Sequence, residues 1–269
     1  MKAVLSGLGA QAALQGGRDG RVMASFTRAC YVEFPAGLVA LAAPEVMPGP
    51  IHLVLDGAPP VDTRGTRVST TGASLEAPDW SVDTREVAPW VGVLPEPAAL
   101  LAGAGVALRA GRPVAARSAL RTSPFLERAD RGRAALLAGD LDEITQLLVG
   151  LGPGLTPAGD DALAGILLVL RCVLGERFEA HPALVAYGVD TTAPSRAFLH
   201  WAGRGQALAP AHDLLSAAAD RDQAAAAAAC EALGSVGDTS GPDFVLGLVW
   251  CLEAVSAGAE FYPEAATSR

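Results

Sequence analysis

Residues 150–161 read Gly-Leu-Gly-Pro-Gly-Leu-Thr-Pro-Ala-Gly-Asp-Asp and run straight into Ala-Leu-Ala-Gly-Ile-Leu-Leu-Val-Leu170. Four glycines and two prolines in twelve residues make a loop of special backbone geometry. Thr156 reads as an N-cap and Pro157 as the first helical residue, where its missing N–H costs nothing. The helix that follows is apolar almost all the way round, so it belongs in a core rather than on a surface. Its first turn nevertheless carries Asp160 and Asp161. Two carboxylates at a buried position need a backbone cap, a cation, a metal or a ligand. This segment is the leading candidate site.

The remaining chain sets bounds on partners. Net charge is −9 and Lys2 is the only lysine. With no basic run and 5% aromatic residues, a nucleic-acid surface is not expected. The 51% hydrophobic content fits a compact, soluble protein. Cys30, Cys172, Cys230 and Cys251 are scattered without a Cys-x-x-Cys pair. Neither a zinc site nor a disulfide framework is expected, and a reducing cytoplasm is the natural setting. His52, His181, His200 and His212 show no metal-ligand spacing. The apolar run at the N-terminus is interrupted by Gly7, Gly9 and Gln11, so it reads as a structural segment rather than a signal peptide. Arg171 and Glu253 break the longest apolar stretches, so no membrane span is expected.

Texture changes near residue 120. Before it, short runs rich in β-formers (Val22 to Phe34, Leu38 to Ala43, Ile51 to Leu55, then Val68 to Leu75 and Val82 to Val93) alternate with Pro and Gly turns. Such spacing suggests a small barrel or curled sheet. After it, Ala- and Leu-rich helical segments cover Pro124 to Ala138, Asp140 to Val149, Asp160 to Leu174, Pro194 to Gly203, Ala211 to Leu233 and Asp243 to Ala257. The expected class is α+β: a β-rich half, residues 1–120, then a mostly helical half, residues 121–269. Dinucleotide and P-loop motifs are absent, as is a Gly-x-Ser-x-Gly elbow.

A weak internal echo links Gly159-Asp160-Asp161-Ala-Leu-Ala-Gly165 with Gly241-Pro-Asp243-Phe-Val-Leu-Gly247. Asp and Gly four apart share a helical face, and the small residue permits close backbone approach. The two helices are therefore expected side by side with converging N-termini. Three polar segments precede helices: Gly152 to Asp161, Asp190-Thr-Thr-Ala-Pro-Ser-Arg196 and Gly237-Asp-Thr-Ser-Gly-Pro-Asp243. Helix N-termini bind anions and polarised oxygens, so loops that meet would form a compact polar pocket. The bland alternative is that their Thr, Ser and Asp residues only cap helices.

Charge narrows the ligand. Asp160 and Asp161 would repel a bare phosphate. Either Mg²⁺ sits between carboxylate and phosphate, or the aspartates accept hydrogen bonds from an amide or carbamoyl NH₂ while loop N–H groups hold ligand oxygens. Arg196 is the best-placed cation for a carboxylate or phosphate fork.

The first motif, Gly150 to Gly165, closely resembles the signature of a bacterial family whose best-characterised members are a subunit of oxamate carbamoyltransferase in anaerobic allantoin breakdown. Thr191-Thr192…Ser195 and Gly237-Asp-Thr-Ser-Gly-x-Asp243 resemble that family's second and third motifs, and Ser25-Phe26 and Gly49-Pro50 match more loosely. Asp238 stands where the family usually has His, which removes a proton-transfer group there. The Ser-x-Arg-Thr loop and His-Pro-x-Gln motif of other carbamoyltransferases are absent; His181-Pro182 is followed by Ala-Leu.

The resemblance implies participation in carbamoyl transfer, from carbamoyl phosphate to oxamate or in reverse, together with other subunits. On that reading Asp160 and Asp161 are the catalytic or NH₂- and Mg²⁺-holding groups. Gly152, Gly154, Thr156 and Gly159 would supply the first loop's part of the binding site, and Thr192, Ser195 and Arg196 the second's. Asp238, Thr239, Ser240, Gly241 and Asp243 belong to the third. The alternatives are a non-catalytic metabolite-binding subunit and a Mg²⁺-dependent enzyme acting on a phosphorylated or acyl-phosphate substrate.

Overall fold

The structure, a computed structural model, describes residues 1–16, 19–179 and 191–261. The chain is α+β and divides into two compact units. One comprises Met1–Gly92 with Gln206–Ala209, the other Val93–Gly205 with Pro210–Arg269.

The first unit is a curled, nine-stranded sheet. Its strands are β1 Ala3–Gly7, β2 Gly20–Ser25, β3 Ala29–Phe34, β4 Gly37–Ala42, β5 His52–Leu55, β6 Arg67–Thr70, β7 Ser74–Ala77, β8 Trp80–Asp83 and β9 Ala88–Trp90. Their order is β8-β7-β6-β2-β3-β4-β5-β1-β9, antiparallel except for the β4–β5 and β1–β9 pairs. The sheet curls far enough for the N-terminus to meet β8: Asp83 N–H donates to the Met1 carbonyl at 2.9 Å, and Lys2 bridges Asp83. Val22, Cys30, Val32, Phe34, Leu41, Leu53 and Leu75 fill its core. The expected single run Val22 to Phe34 is two strands of a hairpin, and Val68 to Leu75 splits likewise, with a turn carrying Gly72 between β6 and β7. Helix α1, Leu8–Gln15, follows β1 directly, and the Pro50 carbonyl accepts from the Gly9 and Ala10 N–H groups that open it.

The second unit is helical: α2 Pro97–Ala115, α3 Leu126–Leu137, α4 Leu141–Leu148, α5 Ala158–Leu174, the short α6 Glu176–Glu179, α7 Ala193–Ala202, α8 Ala209–Ala219 (whose first residue falls in the other unit), α9 Gln223–Gly234 and α10 Ser240–Ser256. Helix α2 was not among the expected helices, because its glycines and Pro113 interrupt the helical texture. Those glycines are packing devices: a Cβ on Gly103 would lie 1.8 Å from the Ala218 carbonyl. The expected helix Ala211 to Leu233 breaks at Arg221, which has φ +59°, and Asp222 then caps α9 by accepting from Ala224 and Ala225 N–H.

Helices α5 and α10 form the centre of this unit. Thirteen residues of α5 are buried, including Asp160. The two helices cross through the equivalent glycines of the sequence echo. A Cβ on Gly165 would lie 2.2 Å from the Phe244 carbonyl, and one on Gly247 would lie 1.8 Å from the Ala162 carbonyl. Phe244 and Ala162 are themselves equivalent residues of the echo, so the contact is reciprocal. Only glycine allows backbones this close.

Gly165→Ala or Gly247→Ala should each lower stability by at least about 2 kcal/mol, because the new methyl meets a rigid backbone carbonyl. Gly105→Ala is the control: its Cβ would meet only the flexible end of Arg109, at 3.4 Å. Chemical denaturation should show that variant equal to or slightly more stable than wild type, by up to about 1 kcal/mol.

Candidate functional site

The close α5–α10 crossing brings the first and third polar loops together, and hydrogen bonds tie in the second. Thr156 and Ser240 hydroxyls lie 2.9 Å apart. Thr191 donates to Asp160 Oδ2, and Thr192 donates to the Leu155 carbonyl. The N-termini of α5, α7 and α10 therefore gather around one place. Asp190 and His181 lie outside the described residues.

The first loop departs from the expected capping. Pro157, not Thr156, is the N-cap of α5, and no side chain caps that helix. Thr156 is turned to Ser240 instead. Gly152 and Gly154 have φ of +117° and +101°, a left-handed region that favours glycine. Among the described residues, no protein acceptor takes the N–H groups of Gly152, Gly154, Leu155 or Thr156. Those four donors remain for water or a ligand. Gly159 and Gly241 have a different task. Their N–H groups donate to Leu151 and Val236 carbonyls, and a Cβ on either would lie about 2 Å from a preceding helix's carbonyl, at 2.0 Å (Leu148) and 1.9 Å (Leu233). They serve backbone packing.

The three aspartates divide by environment. Asp160 is 2% exposed and both its oxygens are engaged: Oδ1 accepts from Gly150 N–H at 2.9 Å and Oδ2 from the Thr191 hydroxyl. It is the clamp between the first and second loops. Asp243 is fully buried; its Oδ1 accepts from the Ser118 hydroxyl at 2.5 Å and from Ala119 N–H at 2.8 Å, holding the short 3-10 turn Ala119–Arg121. Asp243 Oδ2 has no hydrogen-bond partner among the described residues. Burial raises its pKa, partly offset by the nearby Ser118 and Thr239 hydroxyls.

Asp161 is the exception. The residue keeps intermediate exposure, yet its Oδ2 is buried without a hydrogen-bond partner among the described residues. Burial holds its pKa well above the carboxylate range; the Asp243 and Asp160 carboxylates add to this, and the Ser240 and Thr156 hydroxyls oppose it. The raised pKa favours the protonated form, which beside two hydroxyls can both donate and accept.

The other expected residues take varied places. Thr192 caps α7 by accepting from Ser195 N–H at 3.2 Å. Ser195 is 1% exposed and its hydroxyl has no partner among the described residues. Arg196 is exposed and donates to the Thr191 carbonyl at 2.5 Å, so it braces its own loop. Asp238 is exposed, and Thr239 is the N-cap of α10 without a side-chain bond to its backbone. Among the described residues no group of three or more His, Cys, Asp or Glu could hold a metal. Ser118 was missed: its partner Asp243 is far away in sequence, and nothing local marks it beyond a turn-forming context.

Residues 148–252 match the family model described as oxamate carbamoyltransferase subunit AllH. That is the family whose motifs the sequence resembles, and the matched segment contains all three loops. No curated protein and no solved structure matches the chain. Among the described residues, no helix is long and apolar enough to cross a membrane.

Two substitutions separate clamp from orphan. Asp160→Ala strands a buried N–H and a hydroxyl and should cost about 2–4 kcal/mol. Asp161→Asn should stabilise the protein at neutral pH. Below the ordinary value of 3.8 the carboxyl is protonated whether the chain is folded or not. As pH rises, the unfolded chain ionises first, so wild type loses stability until the raised folded pKa is passed. The advantage of the asparagine variant should therefore grow from pH 4 upward and then level off, as melting temperatures across that range would show.

Proposed function

We propose that this chain is a subunit of a carbamoyltransferase-type enzyme and that the three-loop site holds a small amide-bearing acid of the oxamate kind. The observation that carries this reading is the buried Asp161 Oδ2, without a hydrogen-bond partner among the described residues, at the meeting point of three helix N-termini, where burial also raises the carboxyl's pKa. A neutral carboxylic acid complements a primary amide in two hydrogen bonds: its O–H donates to the amide carbonyl and its carbonyl accepts from the NH₂. It also adds no negative charge against an anionic ligand. The free N–H groups of Gly152, Gly154, Leu155 and Thr156 suit the ligand's carboxylate or phosphate oxygens. Thr156 and Ser240 would orient the bound molecule.

In the forward reaction the amide nitrogen of oxamate attacks the carbamoyl carbon of carbamoyl phosphate. The carbon–oxygen bond to phosphate breaks, and the proton lost from nitrogen goes with the phosphate. A protonated Asp161 cannot accept that proton, so its part is to hold and orient the amide. That fits a subunit working with other chains, and the matched family is named as a subunit.

Calorimetry of the isolated protein with oxamate and with carbamoyl phosphate tests the reading. Oxamate should bind, and Asp161→Leu should weaken it at least about tenfold, the loss expected when a buried polar partner is removed. Asp161→Asn should stay within about threefold of wild type, because an amide side chain offers the same donor and acceptor. Equal binding by wild type and Asp161→Leu would overturn the assignment. Turnover appearing only when partner chains are added identifies a catalytic subunit; binding without turnover in any combination identifies a binding subunit.

A further inference from the structure

A cavity of about 400 Å³ lies elsewhere in the helical unit, among α2, the 3-10 turn, α3 and α10. Leu126, 44% exposed, gives it an apolar wall, and Leu120, Leu246, Val249 and Trp250 lie beneath, none more than 4% exposed. Its rim is cationic. Arg112 and Arg133 both reach the one Glu253 carboxylate, at 3.2 Å and 3.0 Å, so two guanidinium groups share a single negative charge. Arg121 also lines the cavity and is exposed, and its guanidinium makes no ion pair or hydrogen bond among the described residues. Three arginines thus face two carboxylates, Glu253 and Asp130, on a chain whose overall charge is −9.

We propose that this cavity is a second binding site, for a small organic anion with an apolar, preferably planar, body and one carboxylate, sulfonate or phosphate group. Both halves of that description come from the lining. An arginine without a partner at the mouth of a pocket is a fork for a planar anion. The exposed Leu126 of the lining suits an apolar body rather than a purely polar ion, and the volume matches a ligand of drug-like size. Oxamate and carbamoyl phosphate are small and polar throughout, so the proposal does not rest on the function assigned to the three-loop site. The two places are linked physically: Asp243 at the start of α10 holds the turn that carries Leu120 and Arg121.

Fluorescence titration of the full chain with anilinonaphthalene sulfonate, and calorimetry with naphthalene acetate, test the site. Saturable one-to-one binding is expected. Arg121→Glu, at an exposed position, should weaken it about tenfold. Ala116→Trp, which lines the cavity from the exposed end of α2, should remove it by filling the space. The neutral naphthalene acetamide should bind about tenfold more weakly than the acetate. Circular dichroism and melting temperature should confirm that both variants remain folded. Non-saturating binding, equal affinity for acid and amide, or indifference to both substitutions would overturn the proposal. So would loss of self-association in Arg121→Glu with no probe bound by wild type, which would mark the face as an assembly surface.

Discussion

The α5–α10 contact underlies the rest of the helical unit. Two helices whose backbones touch at Gly165 and Gly247 can bury nearly their whole circumference only if other helices cover their remaining faces. The contact also sets where their first turns lie. Because the glycines occupy equivalent positions, each helix presents its Asp-bearing N-terminus at the same end of the crossing. The Asp243 carboxylate is close enough there to help raise the pKa of Asp161. A side chain at either glycine would push the helices apart and separate the loops.

That geometry creates an electrostatic problem which the surrounding residues solve only in part. Asp160 is satisfied by a backbone N–H and a threonine hydroxyl, and one oxygen of Asp243 by Ser118 and Ala119. Asp161 is left with a buried oxygen and a suppressed charge. A fold optimised for stability alone would place an amide or an apolar group there. Groups retained against stability concentrate where a site needs them. The contrast between Asp160 and Asp161, adjacent in sequence, shows how completely local packing sets the role of a carboxylate.

Much of this was legible in the chain. The glycine- and proline-rich loop, the buried helix after it and the Gly-x-Asp-x-x-x-Gly echo were read from residue spacing, and the crossing of α5 with α10 follows from them. The curled sheet was legible from short β-rich runs between turns. Other features were not. Helix α2 hid behind glycines that serve contacts made with distant segments, such as Gly103 against Ala218. Thr156 has the chemistry of an N-cap but bonds Ser240, a partner supplied by another helix. Arg196 was legible as a cation beside the second loop, but not its bond to the Thr191 carbonyl. Ser118 had no local signature, because its importance lies wholly in a bond to Asp243.

Sequence alone determined the succession of short strands and then helices, the buried character of α5 and which loops carry polar groups at helix starts, since these depend on period, propensity and turn chemistry within a few residues. Tertiary structure alone decided which aspartate is a clamp and which keeps an unpartnered oxygen, and which glycines are free backbone donors rather than packing contacts. Hydrogen-bond satisfaction and desolvation depend on neighbours brought from far along the chain, and no local pattern encodes them.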